Sequence, residues 1–294
     1  MEERLEGVIL KGVGGNYEVA AGEEILRCRA GGRVKKESGL LACGDRVILK
    51  RSSGGGGYIL SREARRNGLI RPAIANIDQL AILCSQAPPV TDPYLIDKVT
   101  VVALYQGIEP LILLNKCDLD PSDELFRAYS LAGFPVMRVS AATGEGIEAL
   151  RARLAGKISA FTGNSAIGKS SLLNRLDSRF ALPVGELSQR IGRGRHTTRH
   201  VELLRLDNGG FVADTPGFST FDAVRMETLT PENLQHYFPE IGRHFGRCRF
   251  SDCRHLREPD CAVRAAAEGG EVAQSRYQSY CALLEEIARQ NPWK

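Results

Sequence analysis

Residues 163–170 read Gly-Asn-Ser-Ala-Ile-Gly-Lys-Ser, and they limit what this chain can fold into more than any other stretch. A Gly, four residues, then Gly-Lys-Ser is the phosphate-loop pattern. The run before it, 158–162, is strand-like, and the run after it, 170–176, has helical spacing. In that context the glycines let backbone N–H groups wrap phosphate oxygens at a helix N-terminus. Lys169 then reaches the β- and γ-phosphates, and the Ser170 hydroxyl is an expected Mg²⁺ ligand. The expected phosphate-binding set is Gly163, Asn164, Ser165, Ala166, Ile167, Gly168, Lys169, Ser170 and Ser171, with Lys169 also the expected catalytic cation. An Ala at 166 calls for an ordinary φ there.

A phosphate loop needs a sheet behind it, and the pattern from residue 74 onward supplies one. Strand-like runs fall at 77–84, 111–114, 135–139, 158–162, 201–206 and 211–213, with helical spacing at 94–105, 125–132, 147–154 and 170–176. Continuously apolar strands alternating with helices imply a mostly parallel sheet covered on both faces. Ligands in such sheets lie beyond the carboxyl ends of the strands. Asn115, Lys116, Cys117 and Asp118 follow one strand there. A carboxylate such as Asp118 can accept both N–H donors of a guanine edge, a pair that adenine lacks. Ser140 and Ala141 follow another strand, where a backbone N–H can meet the base carbonyl. Asp214-Thr-Pro-Gly217 ends a third; Asp214 is expected to hold Mg²⁺ through water, and the Gly217 N–H to meet the γ-phosphate. Between them, 191–200 reads Ile-Gly-Arg-Gly-Arg-His-Thr-Thr-Arg-His, and either Thr197 or Thr198 could complete the Mg²⁺ shell. Where many GTPases follow Asp-x-x-Gly with a water-orienting Gln, this chain has Phe218. His196 is the nearest substitute, a contact to RNA or solvent being its equal alternative.

The guanine motif and the Ser-Ala pair precede the phosphate loop, which precedes the Thr-bearing loop and Asp-Thr-Pro-Gly. That is a circularly permuted order, since GTPases ordinarily begin with the phosphate loop. In this order, and along nearly its whole length, the chain resembles the RsgA (YjeQ) family of GTPases that depend on the small ribosomal subunit. The resemblance implies a multidomain α/β protein. Its parts would be an N-terminal OB-fold β barrel for RNA at 1–70, a circularly permuted P-loop GTPase domain at 71–226, and a C-terminal helical zinc-binding domain at 227–294. It implies a hydrolase converting GTP to GDP in late maturation of the small (30S) subunit and stimulated by it. The expected partners are that subunit, its rRNA and other assembly factors. The chain is expected to be cytoplasmic and monomeric, with no membrane partner. Two departures from the family are Ala166, where Gly is usual, and Arg199, where a third Thr is common.

Eight cysteines are many for a reducing compartment, and three of them, Cys248, Cys253 and Cys261, fall close together around His255. Three thiolates and one imidazole suit a tetrahedral Zn²⁺ with no open position, hence a structural ion. The set matches the family's zinc site residue for residue.

Net charge is +4, too little to name a partner until it is divided. Residues 1–72 hold 14 basic and 9 acidic residues, whereas 73–226 hold 16 of each and 227–294 hold 9 basic and 10 acidic. The excess therefore sits on the short-stranded N-terminal segment. Its candidate phosphate contacts are Arg27, Arg29, Arg33, Lys35, Lys36, Lys50 and Arg51, with Arg62, Arg65, Arg66 and Arg71 beyond them. Further arginines, including Arg243, Arg247, Arg249, Arg254 and Arg257, surround the cysteines. The acidic start, Met-Glu-Glu-Arg-Leu-Glu, lacks an apolar signal core. Two other readings stay open. One is an RNA-binding assembly clamp that senses guanine nucleotide with little intrinsic catalysis. The other is a metabolic P-loop phosphotransferase, which leaves the guanine motif, barrel and cysteines unexplained together.

Overall fold

The computed structural model describes residues 4–32, 34, 39–52, 55–70, 72–180, 182, 201–215 and 229–290. Its first unit is a closed five-stranded barrel of β1 (Arg4–Val13), β2 (Asn16–Ala21), β3 (Glu24–Ala30), β4 (Arg46–Arg51) and β5 (Gly57–Arg62). The order around it is β1-β2-β3-β5-β4, with β3–β5 the parallel pair and β1–β4 the closing antiparallel one. This is the OB-like barrel that the family resemblance implies. Period-two alternation decides what faces in: on β3, Leu26 and Cys28 are buried while Arg27 and Arg29 point out. The inward set, with Ile9, Val19, Val47, Leu49 and Ile59, forms the barrel core.

A short antiparallel pair, β6 (Gly68–Ile70) and β7 (Ala73–Ala75), leads into the second unit. There β8 (Gln79–Cys84), β9 (Glu109–Leu114), β10 (Val136–Arg138), β11 (Ile158–Gly163), β12 (Leu203–Arg205) and β13 (Phe211–Asp214) form one sheet in the order β10-β9-β8-β11-β13-β12. Every pair is parallel except β12–β13, an antiparallel edge. Every residue of β8 and β11 is buried, including Gln79, Ser159 and Thr162, and the Gln79 amide donates to the Ser159 hydroxyl at 2.9 Å. Helices α1 (Pro93–Tyr105) and α2 (Asp123–Ala132) pack on one face through Ile96, Val99, Leu125 and Tyr129. On the other face α3 (Ile147–Leu154) and α4 (Lys169–Leu176) bury Leu150, Leu154, Leu172 and Leu173. The chain winds outward from β8 to β10, then returns to β11 on β8's other side. The topological switch point, where such sheets bind ligands, therefore lies between β8 and β11.

The third unit is built on a 3₁₀ turn (Leu234–Tyr237), α5 (Pro239–Gly242), α6 (Ala262–Glu268) and α7 (Gln274–Gln290). The Thr230 hydroxyl accepts from the Asn233 N–H at 3.3 Å, and the Asn233 side chain accepts from the Thr230 N–H at 2.8 Å. These two bonds close a turn over 230–233 ahead of the 3₁₀ turn, whose N-cap position is Asn233. Helix α7 lies on α1, and Val101 of α1 belongs to the third unit's core together with Phe238, Tyr280, Leu283 and Ile287. Arg276, 1% exposed, bonds Asp97 of α1 at 2.7 Å and Glu240 of α5 at 2.7 Å, and its guanidinium lies 4.6 Å from the Phe238 ring centroid. Desolvating a guanidinium is costly, and here two carboxylates offset that cost; removing one partner of such a group typically costs about 3–5 kcal/mol. Among the described residues, no helix is long and apolar enough to cross a membrane.

Candidate guanine-nucleotide site and metal centre

Three loops meet at the carboxyl ends of β9, β10 and β11. Asn115, 1% exposed, holds them together. Its side-chain N–H donates to the Ile167 carbonyl at 2.8 Å, and its Oδ1 accepts from the Ala141 N–H at 3.3 Å. Lys116 reaches from the same loop to the Pro88 carbonyl at 2.6 Å and the Ala166 carbonyl at 3.3 Å. The Ser140 hydroxyl accepts from the Thr143 N–H at 3.0 Å, closing its turn. Asp118 is exposed at this rim, as a base-reading carboxylate must be. The sequence-expected residues of the guanine motif, the Ser-Ala pair and the phosphate loop are thus brought to one place.

Packing explains the two phosphate-loop glycines. Gly168 has φ of +95°, and a Cβ there would lie 2.6 Å from the Asn115 side-chain nitrogen. A Cβ on Gly163 would lie 2.9 Å from the Leu83 carbonyl oxygen. Ala166 corrects the sequence reading: its φ is +61°, in the left-handed region, not the ordinary one. An L-residue there costs about 1 kcal/mol relative to Gly. Ala166→Gly should therefore stabilise the chain by roughly that amount, read as a higher urea midpoint; an unchanged or lower midpoint would show that the strain is absent.

On β11's other flank, the Lys169 ammonium pairs with Asp214 at 2.6 Å and also contacts the Thr215 carbonyl. The Thr215 hydroxyl donates to the Phe161 carbonyl at 2.8 Å, tying the residue after Asp214 back to β11. The expected phosphate-binding Lys and the expected Mg²⁺-binding Asp therefore share one pocket with the Ser170 end of α4. His196, Thr197, Thr198, Gly217 and Phe218 lie outside the described residues.

The cysteine cluster is the second centre. One ligand atom each from Cys248, Cys253, His255 and Cys261 all lie within 4.8 Å of one another. The Cys248 and Cys261 sulfurs are 4.0 Å apart and sit 3.5 and 3.4 Å from His255 Nδ1. Tetrahedral Zn²⁺ with bonds of about 2.3 Å to sulfur and about 2.0 Å to nitrogen requires edges of about 3.5–3.8 Å, so these spacings fit. The other ring nitrogen, Nε2, lies 3.1 Å from Gln235 Oε1. A donated Nε2–H fixes the tautomer that frees Nδ1 as a ligand. Burial pushes the Cys253 thiol up to about 12 and holds the His255 imidazole below its ordinary value. A neutral imidazole is what a metal ligand must be, and the thiols would give up their protons on binding a cation. Behind the ligands, the Tyr277 hydroxyl donates to the His255 carbonyl at 2.7 Å. Glu258 accepts from the N–H groups of Arg254, Leu256 and Arg257. Gln235 carried no metal-site signal in the sequence, because it lies outside the ligand segment, 20 residues before His255.

The candidate RNA contacts divide. A groove on the barrel is lined by Lys11, Tyr17, Arg27 and Arg29, among others. Several other arginines are occupied internally: Arg65 forks onto buried Asp45 at 2.6 and 2.8 Å, Arg62 lies 3.8 Å from it, and Arg66 pairs with Asp78 at 2.7 Å. Arg51 pairs with Glu24 at 2.8 Å. Arg33, Lys35, Lys36 and Arg71 lie outside the described residues.

The expected guanine loop, the phosphate loop and Asp214 lie along one sheet edge and occur in the chain order of a circularly permuted P-loop GTPase. The model of the RsgA GTPase family matches residues 62–224, and that of the RsgA N-terminal domain matches 6–59. A small ribosomal subunit biogenesis GTPase RsgA from Caldanaerobacter subterraneus subsp. tengcongensis is 42% identical over 97% of this chain and 96% of its own. The protein of the same name from Moorella thermoacetica is 41% identical over 96% and 97%. The crystal structure of YjeQ from Thermotoga maritima aligns with a TM-score of 0.80 at 36% identity, covering 97% of this chain and 99% of that one. The crystal structure of YloQ, described as a circularly permuted GTPase, aligns with a TM-score of 0.82 at 30% identity over 99% and 98%. The chain belongs to the RsgA GTPase family.

Proposed function

We propose that this chain hydrolyses GTP to GDP and phosphate during late maturation of the small ribosomal subunit, and that contact with the subunit stimulates it. The observation that carries this reading is Asn115, which ties the guanine loop to the phosphate loop and the Ser-Ala turn. The full-length likeness to relatives named for small-subunit biogenesis supports the biological setting. Asp118 reads the guanine edge and the Ala141 N–H meets the base carbonyl. The 163–171 backbone and Lys169 bind and orient the phosphates. The Ser170 hydroxyl, Asp214 through water, and Thr197 or Thr198 would hold Mg²⁺, which when bound neutralises charge on the β- and γ-oxygens. Water attacks the γ-phosphorus as its bond to the β-bridging oxygen breaks. Phe218 has no atom that can orient that water, so intrinsic turnover is slow, with His196 the group offered for the task.

Three modules divide the work: an RNA-binding barrel at 1–70, the permuted GTPase domain at 71–226 and the zinc-binding lobe at 227–294. Cys248, Cys253, His255 and Cys261 hold one structural Zn²⁺. The barrel and the zinc lobe bind rRNA; the protein works in the cytoplasm as a monomer and meets other assembly factors on the subunit. A nucleotide-sensing clamp with little catalysis is the second reading, favoured by Phe218 alone. The base-reading role has its own test. Asp118→Asn should shift preference from guanine toward xanthine nucleotides by at least about tenfold, read by competition binding. An unchanged preference would remove Asp118 from the site.

A further inference from the structure

Two phenylalanines of the zinc lobe are out in solvent: Phe245 is 37% and Phe250 41% exposed. Phe250 lies between two metal ligands, Cys248 and Cys253, in a segment that the ligands close into a short loop. The loop is held further by Cys253 N–H on the Phe250 carbonyl at 3.4 Å and by Arg249 N–H on the Asp260 carbonyl at 3.3 Å. The Arg249 guanidinium pairs with Asp260 at 3.1 Å and lies 5.5 Å from the Phe250 ring centroid. His236 meets the Phe245 ring edge-on at 5.2 Å. Exposed Arg247 sits in the same segment and makes no ion pair among the described residues. Of the arginines in this segment, Arg249 is paired with Asp260 and Arg254 with Glu232 at 3.1 Å, and exposed Arg247 stands three residues before Phe250.

A rigidly mounted, half-exposed ring has a π-face to offer and little entropy left to lose, and neighbouring cations suit a polyanion. We propose that Phe250 is a stacking platform for an unpaired base of RNA, with Arg247 on the adjacent phosphate. Phe245 is a second such ring on the same lobe. The inference deepens the rRNA-binding reading above and rests on it. The partner it selects is single-stranded or bulged RNA, because paired bases in an A-form helix present no free face. It also gives the metal a reason beyond folding: the ligands fix the loop that carries the ring.

The test uses the full chain with labelled oligoadenylate and a duplex RNA of equal length, followed by anisotropy across a salt series. Phe250→Leu, which keeps apolar bulk and loses the ring, should weaken oligoadenylate binding about tenfold with an unchanged salt slope. Phe250→Tyr should restore it, and duplex binding should not move. Arg247→Ala should instead lower the salt slope by about one for both RNAs. Zinc content equal to the parent's shows that each variant keeps its loop. Unchanged oligoadenylate binding by Phe250→Leu would overturn the stacking role alone, and so would an equal loss on duplex. A loss seen only on whole subunits would overturn it in favour of a protein contact. Failure of the parent to bind either RNA would overturn both this inference and the RNA-binding reading beneath it.

Discussion

Cys261→Ser is expected to strip the metal from the C-terminal lobe and unfold it. Cys261 is 5% exposed at the start of α6, with its sulfur 3.4 Å from His255 Nδ1, so a serine cannot be replaced by solvent as a ligand. A structural Zn²⁺ supplies about 10–16 kcal/mol to a small domain, far more than the lobe's short helices can supply themselves. The loss reaches further, because Val101 of α1 is part of the lobe's core and Arg276 of α7 is bonded to Asp97 of α1. Zinc content should fall from about one per chain to near zero. Limited proteolysis should then open sites within 229–290. A variant with full zinc content and parental protease resistance would show that Cys261 is not a ligand.

Lys169→Ala is expected to lower GTP turnover at least about 1000-fold, in line with the loss of one cation from a phosphoryl-transfer site. The ammonium lies 2.6 Å from Asp214 and against the Thr215 carbonyl, at the point where the phosphate loop meets the β13 end. Its removal leaves Asp214 without this partner, but Asp214 is 37% exposed, so water can take its place and the fold should survive. The readout is single-turnover hydrolysis, with circular dichroism as the control. Turnover within a few-fold of the parent would remove Lys169 from the chemistry.

Both predictions rest on residues whose chemistry fixes local spacing, and those were legible in the sequence. A phosphate loop needs its glycines and lysine within eight residues, and the three cysteines and His255 that the structure gathers within 4.8 Å come from one short segment. Likewise strand-like runs alternating with helical spacing announced the mostly parallel sheet. What stayed hidden depends on long-range contact. Gln235 orients His255 from 20 residues away in the chain. Arg276 lies on the apolar stripe of α7, four residues before Tyr280, a clue that it is buried; its partners Asp97 and Glu240 come from elsewhere in the chain. The antiparallel edge strand β12 is three residues long, too short for its direction to be read. The arginines of the barrel junction looked available for RNA until Asp45 and Asp78 were found to occupy three of them. Ala166 shows the limit of a residue-type argument: the loop's closure around Asn115 and Lys116 imposes a positive φ on a residue that has a Cβ.

The central claim is that this GTPase site is completed by the small subunit, since Phe218 cannot orient the attacking water. Steady-state GTP turnover titrated with purified small ribosomal subunits tests it most directly, with Lys169→Ala as the dead control. The account predicts slow turnover alone and a saturable rise of at least about tenfold with subunits, absent in Lys169→Ala and absent with large subunits. A parental rate that stays flat across the titration would contradict it.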